Sequence, residues 1–386
     1  MPRLRYLTAG ESHGPALVAI LDGLPAGLEL DRAAIDRDLS RRQMGYGRGG
    51  RMKIEKDAIE VLAGLRGGRT SGAPLAFCIR NRDFENWRET MDPWAPPAAG
   101  KEVTRPRPGH SDLAGALKYL THDARDVLER ASARNTATRV AIGSICKQLL
   151  GQFGIELYAH VLRIGEVAAN PERQDLAALR ERAEASEVRC ADPDAEARMK
   201  AHIDQARHAG DSLGGIFEVI ATGVPPGLGS YAEWDLRLDG RLCGALASIQ
   251  AMKGAEIGLG FESAQKPGSQ VHDPILYKDG LFVRPSNRAG GIEAGVTNGE
   301  PVVMRVVMKP LPTLARPLPS VDLATKEPFD AAKERTDSVA VPAAAVVGEC
   351  VVATVLGEAF LEKFGGDTLD DVRRAFDGYL EQLRSY

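Results

Sequence analysis

Residues 41–52 read Arg41-Arg42-Gln43-Met44-Gly45-Tyr46-Gly47-Arg48-Gly49-Gly50-Arg51-Met52, four arginines among four glycines, with Lys53 next and no carboxylate between Ser40 and Glu55. Guanidinium groups present planar forks that match phosphate and carboxylate oxygens. Glycines let a backbone come close to a ligand. In a chain of net charge −4 this is a local concentration of positive charge suited to a small, highly charged anion. A flexible linker or a nucleic-acid arm uses the same residues, and the segment alone does not separate these readings.

Two histidines sit in glycine-flanked polar clusters that could supply protons. His13 lies in Gly10-Glu11-Ser12-His13-Gly14, and His110 in Arg105-Pro106-Arg107-Pro108-Gly109-His110-Ser111-Asp112. Imidazoles titrate near neutral pH, and small neighbours let them approach a ligand. Each cluster alone also fits a surface turn. Ala131-Ser132-Ala133-Arg134-Asn135-Thr136 could hold phosphate at the start of a helix, or pack as an ordinary helical turn. Glycine-rich turns at 250–261 and 287–292, the rigid Lys309-Pro310-Leu311-Pro312-Thr313, and Glu334-Arg335-Thr336-Asp337 complete the candidates. Turns and caps use these residues too.

The elements that must carry these loops are mixed. Ile142, Ile145, Cys146, Leu149, Leu150 and Phe153 recur at helical spacing, which predicts an amphipathic helix over 140–153. Pro342 followed by the apolar run 343–364 and Gly365 predicts a long, mostly buried helix. Thr368-Leu369-Asp370-Asp371 opens a last helix with a capping-box variant. The β-branched runs 216–222 and 302–308 predict strands. Between 171 and 210 charged residues are dense, which predicts solvent-facing helices in an insertion or arm. No linker divides the chain, so one domain over 1–386 is expected. Helices and strands do not alternate regularly, which favours α+β over a doubly wound sheet.

Composition narrows the function. With 386 residues, 44% hydrophobic and 26% charged, the chain is that of an ordinary soluble protein. Its acidic balance argues against a general nucleic-acid or membrane-surface binder. The five cysteines are widely separated and lack metal-ligand spacing, so free thiols and no metal site are expected. No apolar leader opens the sequence, no stretch reads as a membrane span, and the cytoplasm is the expected location. Walker A, Rossmann, G-x-S-x-G and H-E-x-x-H signatures are absent. A polyanion binder working through 41–53 and a phosphoryl-transfer enzyme remain as rivals to an enzyme acting on a small phosphorylated acid.

Taken in order, the segments at 10–14, 41–48, 107–110, 130–136, 253–258, 287–292, 309–313 and 335–337 closely resemble those of chorismate synthases. The resemblance runs from Leu7 to about Phe364. It implies a β-α-β sandwich with a helical core between antiparallel sheets, assembled as a homotetramer. It also implies conversion of 5-enolpyruvylshikimate 3-phosphate to chorismate by anti 1,4-elimination, with reduced FMN required although no net redox change occurs.

Residue by residue, the resemblance implies that His13 and His110 donate protons, one toward the departing phosphate and one toward the flavin. Asp337 implies the carboxylate that helps flavin N5 take the ring proton. Arg42, Arg48, Arg107, Arg134 and Arg335 match arginines for the substrate's phosphate and carboxylates, and Arg42 and Arg48 also match NADP-contacting positions. FMN contacts fall on Arg130, Ala131, Ser132, Gln250, Ala251, Ala294, Lys309, Pro310, Leu311, Pro312, Thr313 and Arg335. Ala294 stands where glycine is usual and Ala131 where serine is common. With no added reductase domain in sight, reliance on supplied reduced FMN is expected, with NADPH as indirect reductant and a separate flavin reductase as partner.

Overall fold

Strand Arg5–Ala9 pairs antiparallel with Ala16–Asp22, Ala16–Asp22 with Leu75–Arg80, and Leu75–Arg80 with Glu60–Ala63. Side chains alternate across such a sheet. Leu17, Ala19 and Leu21, with Leu75, Phe77 and Ile79, therefore all bury on one face. A second antiparallel sheet orders Met252–Ile257, Val302–Met308, Gly215–Thr222, Glu156–Ile164 and Val167–Ala168. The chain is described, in a computed structural model, over residues 4–48, 56–96, 100–331 and 337–386. Arg335, Lys53 and residues 49–52 of the Arg/Gly segment lie outside the described residues.

The helices are α1 (Arg32–Gln43), α2 (Asp112–Tyr119), α3 (Arg125–Ala131), α4 (Thr136–Gly151), α5 (Leu176–Ala185), α6 (Pro193–His208), α7 (Leu238–Ala247), α8 (Val341–Phe364) and α9 (Leu369–Ser385). Helix α4 packs between the first sheet and α8, and α8 lies on strands Glu156–Ile164 and Gly215–Thr222. The expected sandwich with a helical centre is therefore present. At the α4–α8 crossing a Cβ on Gly143 would stand 2.1 Å from the Cys350 carbonyl oxygen, so only glycine allows this approach.

Helix α8 corrects one expectation. It is long and apolar enough to cross a membrane, and 94% of its apolar window is buried inside the protein. Apolar residues surround it because it is covered by α4 on one side and a sheet on the other. Its single deep charge, Glu349, is bound by Arg41 at 2.9 Å through both oxygens and by Lys147. Burial would raise that carboxyl, but the two cations hold it well below its usual range. The cluster ties α1 and α4 to α8.

The predicted helices and strands map closely. The 140–153 helix extends back to Thr136, and the strands at 216–222 and 302–308 are found as Gly215–Thr222 and Val302–Met308. Thr368 Oγ1 accepts from the Asp371 amide while Asp371 accepts from the Thr368 amide, completing the capping box. Within 171–210, α5 and α6 keep their charged faces outward but bury Leu179, Ala183, Ala195, Met199 and Ile203 against the second sheet and the core.

Candidate active site

The Arg/Gly segment begins on the last turn of α1 and divides its arginines between two tasks. Arg41 turns inward to Glu349, Asp38 and Glu184, a structural role. Arg42 turns the other way, donating from Nε to Thr136 Oγ1 at 2.8 Å and from Nη2 to the Ala133 carbonyl at 2.9 Å. Its Nη1 stands 3.6 Å from Asp57 and makes no hydrogen bond among the described residues. Burial brings this guanidinium down to about 10 against the attraction of Asp57, and Arg134 and Arg48 add smaller repulsions.

Arg48 ends the described part of the loop with Nη1 2.8 Å from Asp337. The loop is clamped from α6 and the segment before it. The Tyr46 amide donates to the Glu187 carbonyl, and the Tyr46 hydroxyl donates to Asp204 at 2.8 Å. Gly47, at φ +79°, lies where a Cβ would meet Ile203 at 2.9 Å. The loop therefore needs glycine both for its backbone and for its packing.

Arg134 sits in the 3-10 turn Ala133–Asn135 that leads into α4. Its Nη1 donates to both Asp57 oxygens, at 2.6 and 2.7 Å, and its Nε to Asn81 Oδ1 at 2.9 Å. The Asn81 amide donates in turn to the carbonyls of Glu11 and Gly14, 3.1 and 2.7 Å away. One buried chain of bonds thus runs from the arginines to the His13 loop.

His13 is held firmly. Its Nδ1 lies 2.9 Å from both Glu129 oxygens, its main-chain amide donates to Glu129 at 2.9 Å, and the Ser12 hydroxyl donates there at 2.6 Å. Trp87 lies over the imidazole with centroids 4.1 Å apart, and Arg125 sits over Trp87. Burial alone would raise the Glu129 carboxyl, yet the bonds from His13 and Ser12 prevail and bring it to about 2. His110 has a matching partner: Nδ1 is 2.5 Å from Asp112, which also receives Arg107 Nε at 2.9 Å. Burial opposes ionisation of Asp112 as well, and His110 with Arg107 hold its carboxyl well below the ordinary range.

A cavity of about 480 Å³ collects many of these groups. Arg42, Arg48, His110 and Lys309 reach it, and Ala131, Ile249, Met252, Met308, Leu311, Pro312, Ala344 and Val347 give it an apolar wall. Gln250 and Ala251 also line it. Lys309 donates from its main chain to Ala251 and from Nζ to the Gly109 carbonyl, so the proline-rich segment, the α7 exit and the His110 loop are joined.

Other sequence candidates are placed elsewhere. His13, Arg107, Arg130, Ser132, Arg134, Ala294, Pro310, Thr313 and Asp337 do not line this cavity. Arg107 and Arg134 are spent largely on Asp112 and Asp57. Arg130 ties α3 to the first strand through Thr8, at 2.8 Å, and to Asn135. Ala294 is at the tip of the hairpin Ile292–Glu293 and Val296–Thr297, next to the start of α7, while the cavity is at the α7 end. A ten-residue helix separates the two by about 15 Å. Asp57, Asn81, Glu129 and Asp112 were not singled out from sequence. Asp112 stood inside the His110 cluster and Glu129 just ahead of the Ala131–Thr136 segment, whereas Asp57 and Asn81 carried no local signal.

A two-sheet sandwich whose cavity pairs guanidinium groups with a carboxylate-held histidine defines an enzyme for a small anionic substrate. The chorismate synthase family model matches residues 4–361. Named chorismate synthases from Geobacter sulfurreducens and Desulforudis audaxviator are 56% and 58% identical, covering 99% of this chain and 100% and 98% of their own lengths. That of Aquifex aeolicus is 53% identical over 99% of both chains. A solved structure titled as a chorismate synthase superimposes with TM-score 0.80 at 43% identity, covering 99% of each chain.

The chain belongs to the chorismate synthase family. It is a carbon–oxygen lyase acting on phosphates: 5-enolpyruvylshikimate 3-phosphate loses phosphate and a ring hydrogen to give chorismate, the last common step toward the aromatic amino acids. The family works with reduced flavin.

Proposed function

We propose that the 480 Å³ cavity is where substrate and reduced FMN meet, with the cationic side taking the substrate and the apolar wall taking the flavin ring. The observation that carries this reading is the convergence of Arg42, Arg48 and His110 on one cavity whose remaining lining is largely apolar. The substrate carries a phosphate and two carboxylates, and burying such an ion needs several cations. Arg42, Arg48, Arg107, Arg134 and Arg335 are its binding arginines. His13 and His110 are the proton donors, and Asp337, beside Arg48, serves the side of the reaction that loses hydrogen.

The residues present fit a flavin. Gln250 Oε1 is buried, lines the cavity and has no hydrogen-bond partner among the described residues, which suits an N–H of a planar heterocycle. Ala251 is held at φ +68°, a strained backbone for alanine that is concentrated at ligand sites. Gln250, Ala251, Ala131, Lys309, Leu311 and Pro312 are the residues that would hold FMN here, with Arg130, Ser132, Pro310, Thr313 and Arg335 as further contacts; Ala294, at the far end of α7, is not among them. Bound reduced flavin supplies an electron-rich ring that eases departure of the allylic phosphate. The arginines neutralise the phosphate as it leaves, the histidine acid protonates it, and the apolar wall excludes water from the ring.

The same reading takes the chain as one catalytic domain over 1–386, assembled as a homotetramer in the cytoplasm. NADPH acts only as indirect reductant, through a separate flavin reductase or at Arg42 and Arg48. Anaerobic addition of reduced FMN and substrate to the purified protein, followed by phosphate release, tests the cavity assignment. Arg42→Ala and Gln250→Ala should weaken substrate and flavin binding respectively. Unchanged binding of both ligands in both variants would place the chemistry elsewhere.

A further inference from the structure

An imidazole works as a directed acid when one nitrogen is pinned and the other is left to face its acceptor. Both proposed donors meet the first condition in the same way. The Glu129 side chain is fully buried and gathers the Ser12 hydroxyl, the His13 amide and His13 Nδ1 within 2.6–2.9 Å. The Asp112 side chain is also fully buried and holds His110 Nδ1 at 2.5 Å with Arg107 as its second partner. Burying a carboxylate costs several kcal/mol unless its partners repay it. Two such carboxylates, on α3 and at the start of α2, are each committed to one histidine of a different loop or turn.

We propose that Glu129 and Asp112 are positioning residues for the elimination, each holding its histidine as the Nδ1–H tautomer so that Nε2 carries the transferred proton. The proposal rests on the reading of His13 and His110 as acids. In the acid form both ring nitrogens bear hydrogen. For the histidine that serves the leaving group, Nε2–H gives its proton to a phosphate oxygen while the C–O electron pair departs with phosphate. The ring is left neutral, with Nδ1–H still on its carboxylate, and regains a proton at Nε2 without turning over. Trp87 stacked on His13 resists that turning as well.

The charged groups around His13 are Glu129, which holds it, and Arg125, which reaches Glu129 and lies over Trp87, with Glu11 beside Gly14 and Asp83 on the Trp87 indole. Those facing His110 are Asp112 at Nδ1 and Arg107, whose Nη2 lies 3.2 Å from Nδ1 and 3.4 Å from Nε2 and must swing aside for Nε2–H to reach an acceptor, with Lys309 Nζ on the neighbouring Gly109 carbonyl. Replacing Glu129 by Gln removes the counter-charge of the imidazolium and offers an amide that can donate to Nδ1, favouring the wrong tautomer. In steady-state assays with reduced FMN, Glu129→Gln should lower kcat about 10–100-fold, taking the scale seen for carboxylates that orient metal-bound histidines. KM should stay nearly constant, and the alkaline limb of the pH–rate profile should move to lower pH, because the protonated ring has lost its carboxylate.

Glu129→Asp keeps the charge with a shorter reach, so it should leave the alkaline limb in place with a smaller loss of kcat. If Glu129→Gln does not fold, this variant carries the test. The double variant His13→Ala/Glu129→Gln should be no slower than His13→Ala, because Glu129 acts through the imidazole. A folded Glu129→Gln protein with wild-type kcat and an unmoved alkaline limb overturns the proposal. So does a double variant slowed by the full product of the two single effects. Normal turnover by His13→Ala would instead remove the acid role of His13 and with it the role of Glu129.

Discussion

Replacing Asp57 by asparagine keeps the outline of the side chain and one oxygen acceptor but removes its charge. In the folded protein that charge lies between two guanidiniums, with Arg134 Nη1 at 2.6 and 2.7 Å and Arg42 Nη1 at 3.6 Å. Breaking a buried ion pair from one side costs about 3–5 kcal/mol. The amide oxygen still accepts from Arg134 and returns about 1 kcal/mol, leaving a net loss of roughly 2–4 kcal/mol. The absent charge is one that an anionic ligand can supply. At one fixed concentration, inorganic phosphate should therefore stabilise the variant more than the wild type, the variant gaining about 2.7 kcal/mol at a hundred times its own Kd if phosphate binds only the folded form. Urea unfolding at fixed protein concentration, with and without phosphate, measures both quantities. A loss below about 1 kcal/mol would refute the pairing argument, and an equal phosphate effect in both proteins would refute the anion-site argument.

Arg48→Ala should raise the substrate KM about 10–100-fold, the equivalent of one charge-assisted contact, while flavin titration changes little; an unchanged KM would remove Arg48 from the substrate site. Ala294→Gly should stabilise the protein by about 1 kcal/mol, because Ala294 sits at φ +49° where an L side chain is strained, and urea midpoints would show no gain if the turn were already relaxed. Glu129 makes stability depend on acid. Its folded-state carboxyl is depressed from 4.5 to about 2, so its contribution is complete above about pH 4.5 and is lost as pH falls toward 2. That contribution is on the order of 3 kcal/mol, and Glu129→Gln should flatten the acid limb of the urea stability curve by about this amount.

The parts of the fold that were legible in the sequence are those governed by local periodicity or by a cap. The apolar spacing near 142–153 and the β-branched run at Val302–Met308 need only one buried face to declare themselves. Thr368 and Asp371 are a reciprocal cap set by residues three apart. The apolar run of α8 was legible as a buried helix, but not as one long and apolar enough for a membrane span; the partners that neutralise its central Glu349, Arg41 and Lys147, are distant in sequence. Arg42, Arg48, His13 and His110 were legible as candidates through their glycine-rich settings, and all but His13 line the cavity. Their carboxylate partners were not legible. Asp57 reaches Arg134, and Glu129 reaches His13, across long stretches of chain, and no local pattern encodes such a pairing.

The charged stretch at 171–210 shows why composition misjudged a segment that bears on the site. Its charges are real, but they are not all given to water. Glu184 binds Arg41, the Glu187 carbonyl accepts from the Tyr46 amide, and Asp204 accepts from the Tyr46 hydroxyl. Lys200 lies over the Tyr46 ring at 4.9 Å and is itself paired with Glu187. Thus the loop that carries Arg42 and Arg48 is fixed at Arg41, at Tyr46 and at Gly47, and every one of those anchors uses a residue between 184 and 204. A cation-rich, glycine-rich loop repels itself and pays a large entropy to be ordered. Anchoring it by neutral and oppositely charged partners outside the cavity lets the guanidiniums of Arg42 and Arg48 stay directed inward without an anion to hold them. The two helices α5 and α6 are, in that physical sense, the outer wall of the site.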